Sequence, residues 1–452
     1  MRPPSLPAMK RFARHALVGL WFGLSLVSMS AQAYWTGVGD GWLGQTPPPN
    51  DGTADLVYLQ SIGQTIPLDG ITDVNSLTFV NDDDYILTAA SPSTLTVAGG
   101  IFASSSISGN RIKFDQNITL NLSGAGAVFD AEYSNVIISG KITGTAPLLL
   151  TFNADNNGSG GFVFNNAAAA DNYSGGTTIT SLGSAGAGSV AFWNSTPFGT
   201  GPVTITNGAY FAAHNALTLV NNFSVISNAS DPWSMRIWDA PLTLSGTITL
   251  AANNDVISSR FAFTALPASN NEGSLVFPGP LTRLPTIFTG NIIEGGPNYG
   301  LTVGGTGVTI FNFTPDSNTY KGGTTVNGSL VFGSNSSIPP AGLVTVASTY
   351  GYVGTADVAS SHFAAFLSRI SPSSSGSVGV DSLPGTGTST LNDGIDLTAF
   401  TTGTGIRLGT ATSAILTGTI TPQKTNGNTS QDYHFGNGGG SLYVQSLSLI
   451  HI

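Results

Sequence analysis

Arg111, Lys113 and Asp115 alternate in Arg111-Ile112-Lys113-Phe114-Asp115. On a strand they share one face, and Ile112 and Phe114 take the other. Two cations and a carboxylate in a row suit the uronate groups of an acidic polysaccharide, which pair with Arg and Lys through charge-assisted hydrogen bonds. The same alternation also describes the polar outer face of an ordinary strand. Asp82, Asp83 and Asp84 form the densest acidic run and offer hard oxygen ligands of the kind Ca2+ takes. They lack the spacing of a calcium loop, and a solvated turn between two strands is the simpler account of them. Trp233 and Trp238, in Trp233-Ser234-Met235-Arg236-Ile237-Trp238 with Asp231 and Asp239 alongside, supply aromatic faces for stacking on sugar rings. The alternative for that segment is a loop packed on the molecule.

Other chemistry is sparse. Of five histidines, His214, His362 and His434 lie away from the two ends of the chain. No Gly-x-Ser-x-Gly turn accompanies them, so a serine triad has no support. No His-x-x-x-His spacing marks a metal site. Asp130 and Glu132 stand two apart as a carboxylate pair on a strand, with no partner placed across a cleft. Gly124-Ala125-Gly126-Ala127 lacks the third glycine and the helix of a dinucleotide site, so it reads as a bend between strands. There is no cysteine, which removes thiol catalysis, disulfides and thiolate metal sites together.

Composition narrows the class further. Charged residues make up 8% of 452 residues, where about 25% is usual. Yet 40% of the chain is hydrophobic and mean hydropathy is +0.18, so it has the apolar surface to fold. A pI near 4.7 argues against nucleic acid, which needs clustered Lys and Arg.

The amino terminus carries Arg2, Lys10, Arg11 and Arg14, then the apolar run Ala16 to Met29, then Ala31-Gln32-Ala33. Basic region, short apolar region and small-residue site in that order predict a signal peptide over 1–33, cleaved before Tyr34. Removing it changes the formal charge from −10 to −14. No later stretch has the roughly 18 apolar residues of a membrane helix, so no transmembrane segment is expected in the mature chain.

Beyond Asp55, period-two alternation returns in short stretches such as Ser76–Val80, Ile118–Leu122 and Val203–Thr206, separated by Gly, Asn, Asp and Ser. One helical window interrupts them. In Val358–Ile370, Phe363, Phe366, Leu367 and Ile370 make a one-sided stripe behind Asp357 as an N-cap, predicting one short amphipathic helix over 358–370. Asn172-Tyr173-Ser174-Gly175-Gly176-Thr177-Thr178-Ile179 recurs as Thr319-Tyr320-Lys321-Gly322-Gly323-Thr324-Thr325-Val326, each copy followed by a second short strand. The paired glycines permit a sharp turn and the β-branched run enters a strand, with the tyrosine hydroxyl expected near water. Stacking such units buries the apolar face of each against its neighbours. Trp35 and Trp42 are expected to close the amino end of the stack.

The unit at 301–333, and more loosely that at 149–190, resembles the autotransporter-associated β-strand repeat of bacterial surface proteins. Tyr34-Trp35-Thr36-Gly37 is similar to the first strand of such proteins, and the region from Phe366 to Leu442 is similar to their C-terminal part. The resemblance implies an all-β fold, a right-handed parallel β-helix, exported as a passenger to the cell surface or outer membrane or released, with no shared catalytic residues. Arg111-Ile112-Lys113 also resembles one polygalacturonase motif, but that family's Gly-His-Gly is missing and the order differs. The expected organisation is a β-solenoid over 34–350 and a repeat-associated β region over 351–446. At about 20 to 25 residues per turn it would have roughly 17 to 20 rungs. Leu447-Ser448-Leu449-Ile450-His451-Ile452 matches one reading frame of a common transposase adapter, and is read as sequencing artefact at a truncated end. The expected function is a non-enzymatic surface scaffold, adhesive in character, without a cofactor. Its expected partners are extracellular polysaccharide or cell-surface components, and the alternative is a protein that binds or cleaves polysaccharide on the same fold.

Overall fold

The computed structural model describes residues 32–35 and 49–445, apart from 60–63, 69, 81–83, 105–109, 153–159, 167–169, 182–188, 207–209, 227–234, 239–241, 254, 260–261, 264–280, 283–284, 314–317, 348, 401–404 and 426–429. The chain winds into a parallel β-solenoid of about 12 turns. Successive strands of one sheet are therefore one turn apart in sequence. A first sheet runs from Gln32–Trp35 to Ile292–Glu294, and a second from Gln64–Pro67 to Val344–Val346. The third runs from Leu217–Leu219 to Arg407–Gly409, and so passes through residue 350 without a break in pairing.

The turns are fewer than the 17 to 20 expected. Register partners in the second sheet, Ile112, Val136, Phe162, Val190 and Phe211, lie 21 to 28 residues apart. Asp255 and Leu301, partners in the same sheet, lie 46 residues apart, so one long connection takes up residues of nearly two expected turns.

Alternation dictates the packing. In the strand Ile118–Leu122, Ile118, Leu120 and Leu122 are buried while Thr119 and Asn121 are half-buried. The inward residues of all three sheets form one core from Ala54 to Leu416. At roughly 25 cal/mol per Å2 of apolar surface removed from water, this stacked core is the main favourable contribution to stability. Within it, aromatic rings follow one another from turn to turn: Tyr58 stacks on Phe79 at 4.9 Å, and Phe192, Phe198 and Phe211 pack edge to face or tilted at 5.3 to 6.3 Å.

The repeated motif plays one structural role twice. Gly176 and Gly323 both have φ +86°, which a side chain would strain. Gly175 and Gly322 sit against the backbone of the preceding turn, at Ala146 and Asn298, where a Cβ has no room. The tyrosine hydroxyls do not reach water. Tyr173 and Tyr320 are fully buried, and each hydroxyl lies 2.6 Å from that of the threonine four residues on, Thr177 or Thr324. A buried phenol needs a partner, and the first threonine of the Thr-Thr pair supplies it.

The helix is shorter than expected, His362–Ser368, with Phe363 and Phe366 buried. Ser361, at φ +66°, precedes it, and Asp357 does not cap it. Instead an Asp357 oxygen lies 2.7 Å from His362 Nδ1. Ile370 leaves the helix to bridge Val344, so tertiary pairing ends the helix early.

Candidate ligand-binding face

The second sheet carries Arg111 and Lys113 on its outer face, and its register extends to the position of Trp238. Its register places Lys113, Ile137, Val163, Ala191, Ala212 and Trp238 in one column along the solenoid. Arg111, Asn135, Gly161, Ser189, Tyr210 and Arg236 form the column beside it. On the other flank the backbone ladder carries on past the strand ends through Asp115, Ser139, Asn165, Trp193 and His214. With about 4.8 Å per rung, Lys113 and Trp238 lie roughly 24 Å apart on the same column. The Trp233–Trp238 segment is thus not a loop throughout: Met235–Trp238 is a strand of this sheet. Trp233 lies outside the described residues, as do Asp231 and Asp239.

Arg111 and Lys113 point outward, as alternation required, while Ile112 and Phe114 enter the core. Arg111 is already engaged. Its Nε and Nη2 reach Asp84 Oδ2 at 2.9 and 2.5 Å, and its backbone N–H donates to Asp84 Oδ1 at 2.8 Å. The basic candidate and the acidic candidate are therefore partners across adjacent rungs, and Asp84 serves as a counter-ion to arginine. Asp82 and Asp83 lie outside the described residues. Among the described residues no three His, Asp or Glu side chains converge as a metal group.

Asp115 closes the turn after its strand. It accepts from the N–H of Asn117 at 2.7 Å and of Ala89 at 3.4 Å, while Asn117 donates to Ala89 O. Asp130 likewise accepts from the N–H of Glu132 at 3.1 Å, and Glu132 takes φ +43°, so this pair shapes a buried turn.

Between Lys113 and the Trp238 position the central column is apolar and buried. Ile137, Val163, Ala191 and Ala212 form a second cluster, separate from the core, with Trp193 against it. Trp193 stacks on His214 at 3.8 Å with ring planes 5° apart. Burial holds His214 down at a pKa of about 4, so it is neutral at ordinary pH.

Sequence reading missed a buried polar cluster on the outer face of the third sheet. The Tyr352 hydroxyl donates to Asp381 Oδ2 at 2.6 Å. Asp381 Oδ1 accepts from the N–H groups of Ala411 and Thr412 and from the Thr410 and Thr412 hydroxyls, at 2.8 to 3.1 Å. Both acids are fully buried, and burial pushes both pKa values up. Gly354 and Gly379 leave room for the phenol, since a Cβ on Gly354 would collide with it and with Asp381. Tyr-x-Gly in a strand opposite Gly-x-Asp was the available signal, but only register brings the two together.

No known protein family, curated protein or solved structure matches the chain. None of the described helices is long and apolar enough to cross a membrane.

Proposed function

We propose that the chain is an exported, non-enzymatic surface or extracellular β-helix scaffold of the passenger type, adhesive through its outer faces. The observation that carries this reading is the unbroken core from Ala54 to Leu416, with both Tyr-x-Gly-Gly-Thr-Thr units in the same structural role. A stack of this kind makes a stiff rod whose exposed turns vary without cost to the core. The residues at 1–33 with signal-peptide character supply the export route. The test is expression of the full chain in a Gram-negative host, amino-terminal sequencing of the product and protease treatment of intact cells. A mature terminus at Tyr34 with digestion outside the cytoplasm is expected, and an uncleaved, cytoplasmic protein overturns the proposal.

A second reading, binding of an acidic polysaccharide, is favoured by the register that sets Arg111 and Lys113 at one end of the second sheet and the Arg236 and Trp238 positions at the other. Polygalacturonate is the probe. Retention on the wild-type chain and its loss in Arg111→Ala/Lys113→Ala support the reading, and no retention by wild type ends it.

A further inference from the structure

The two copies of the repeat differ at one buried polar position. Asp171 immediately precedes the first motif and Asn318 the second, each two residues before the tyrosine. Their backbone and side-chain roles coincide. Asp171 Oδ1 accepts from the Ile142 N–H at 2.7 Å, and Asn318 Oδ1 from the Ile292 N–H at 3.0 Å. The following residue, Asn172 or Thr319, donates back to the carbonyl of that same isoleucine, at 3.0 or 3.1 Å. Each side chain therefore locks its turn onto the preceding rung.

The second oxygen or nitrogen sets the copies apart. Asn318 Nδ2 donates to Ser337 O at 2.8 Å, so both ends of the amide are used. Asp171 Oδ2 is buried and has no partner. Oδ1 takes a further bond from Asn166 Nδ2 at 2.9 Å, and Asn166 Oδ1 is held in turn by Asn194 Nδ2. These neighbours are neutral. The titratable groups facing Asp171 are Lys141, just ahead of Ile142, and Tyr173. The residue is 1% exposed, a poor place for an ionised carboxylate with one oxygen unsolvated.

We infer that the Asp171 turn is a pH-responsive latch in the solenoid, closed while the carboxyl is neutral and loosened when it ionises, with Asn318 as the permanently closed counterpart. Burial pushes the carboxyl up to about 7, against the opposing hydrogen bonds from Ile142 and Asn166 and the charge of Lys141. An unfolded aspartate titrates near 3.9. Between those values the folded chain holds a proton that the unfolded chain has released, so the latch is strongest in acid. Its stability falls as pH rises to about 7 and is level above that. An exported protein meets such a pH range outside the cell.

The test is hydrogen exchange of the amides of Ile142 and Asn172 at pH 5 and pH 8, corrected for intrinsic exchange, with urea midpoints alongside. Wild type is expected to lose at least tenfold protection at pH 8. Asp171→Asn should keep its pH 5 protection at both values. Asn318→Asp should give the Ile292 and Thr319 amides the same loss, or unfold that rung at pH 8 while keeping it at pH 5. Undiminished pH dependence in Asp171→Asn, or none in Asn318→Asp, overturns the inference.

Discussion

Asp84 and Arg111 face each other on adjacent rungs of the second sheet and join through three bonds, two from the guanidinium and one from the backbone N–H. Two segments that look unrelated in sequence, an acidic run and a basic strand, become one neutral pair once a turn of solenoid brings them together.

The unequal bonding of that pair predicts unequal costs. The side chains are 40% and 28% exposed, so the ion pair itself contributes about 0.2 to 1 kcal/mol. Arg111→Ala should fall in that range. Asp84→Ala also strips the acceptor from the Arg111 N–H and should cost about 1 to 2 kcal/mol. Urea denaturation of the two variants checks the order, and equal losses would contradict it.

Tyr320 and Thr324 offer a clean double-mutant cycle. Tyr320→Phe leaves a buried threonine hydroxyl without its phenol, at about 1 to 2 kcal/mol. Combining it with Thr324→Val should cost less than the sum of the single changes, with about 1 kcal/mol of coupling from urea midpoints. In Tyr173→Phe the Thr177 hydroxyl keeps Phe198 O at 3.4 Å while Pro197 O loses the phenol at 3.4 Å, so a cost of the same order, about 1 to 2 kcal/mol, is expected.

Asp381 holds the segment Thr410–Thr412 on the third sheet. Asp381→Ala removes an acceptor from the Tyr352 hydroxyl and four further donors, of which the Thr412 N–H keeps the Thr410 hydroxyl, and should cost about 3 kcal/mol or more. Gly354→Ala should be comparably harmful, because the added methyl meets both Asp381 and Tyr352. Thermal unfolding of each variant tests this.

His214 predicts a pH effect opposite in sign to that of Asp171. Its folded pKa is about 4 and its ordinary value 6.5, so the unfolded chain binds the extra proton between them. Its contribution to stability therefore grows as pH rises from about 4 to 6.5 and is lost as pH falls through that window. His214→Phe, which keeps a ring against Trp193, should remove this dependence when urea midpoints are compared at pH 4.5 and 7.

The sequence by itself determined the fold class, because period-two alternation and paired glycines constrain each strand locally, and Ile112, Phe114, Leu120 and Val203 entered the core as their spacing required. It likewise showed that Arg111 and Lys113 share an outer face. The number of turns, the burial of the Tyr173 and Tyr320 hydroxyls, the early end of the helix and the Arg111–Asp84 and Tyr352–Asp381 pairs were decided only by tertiary structure. Each depends on which residues lie one turn away, at separations of 27 residues for Asp84 and Arg111 and 29 for Tyr352 and Asp381. Local pattern carries no register between turns. Alternation forbids a one-residue slip, which would turn every inward side chain outward, but it does not say which strand of the chain lies alongside which.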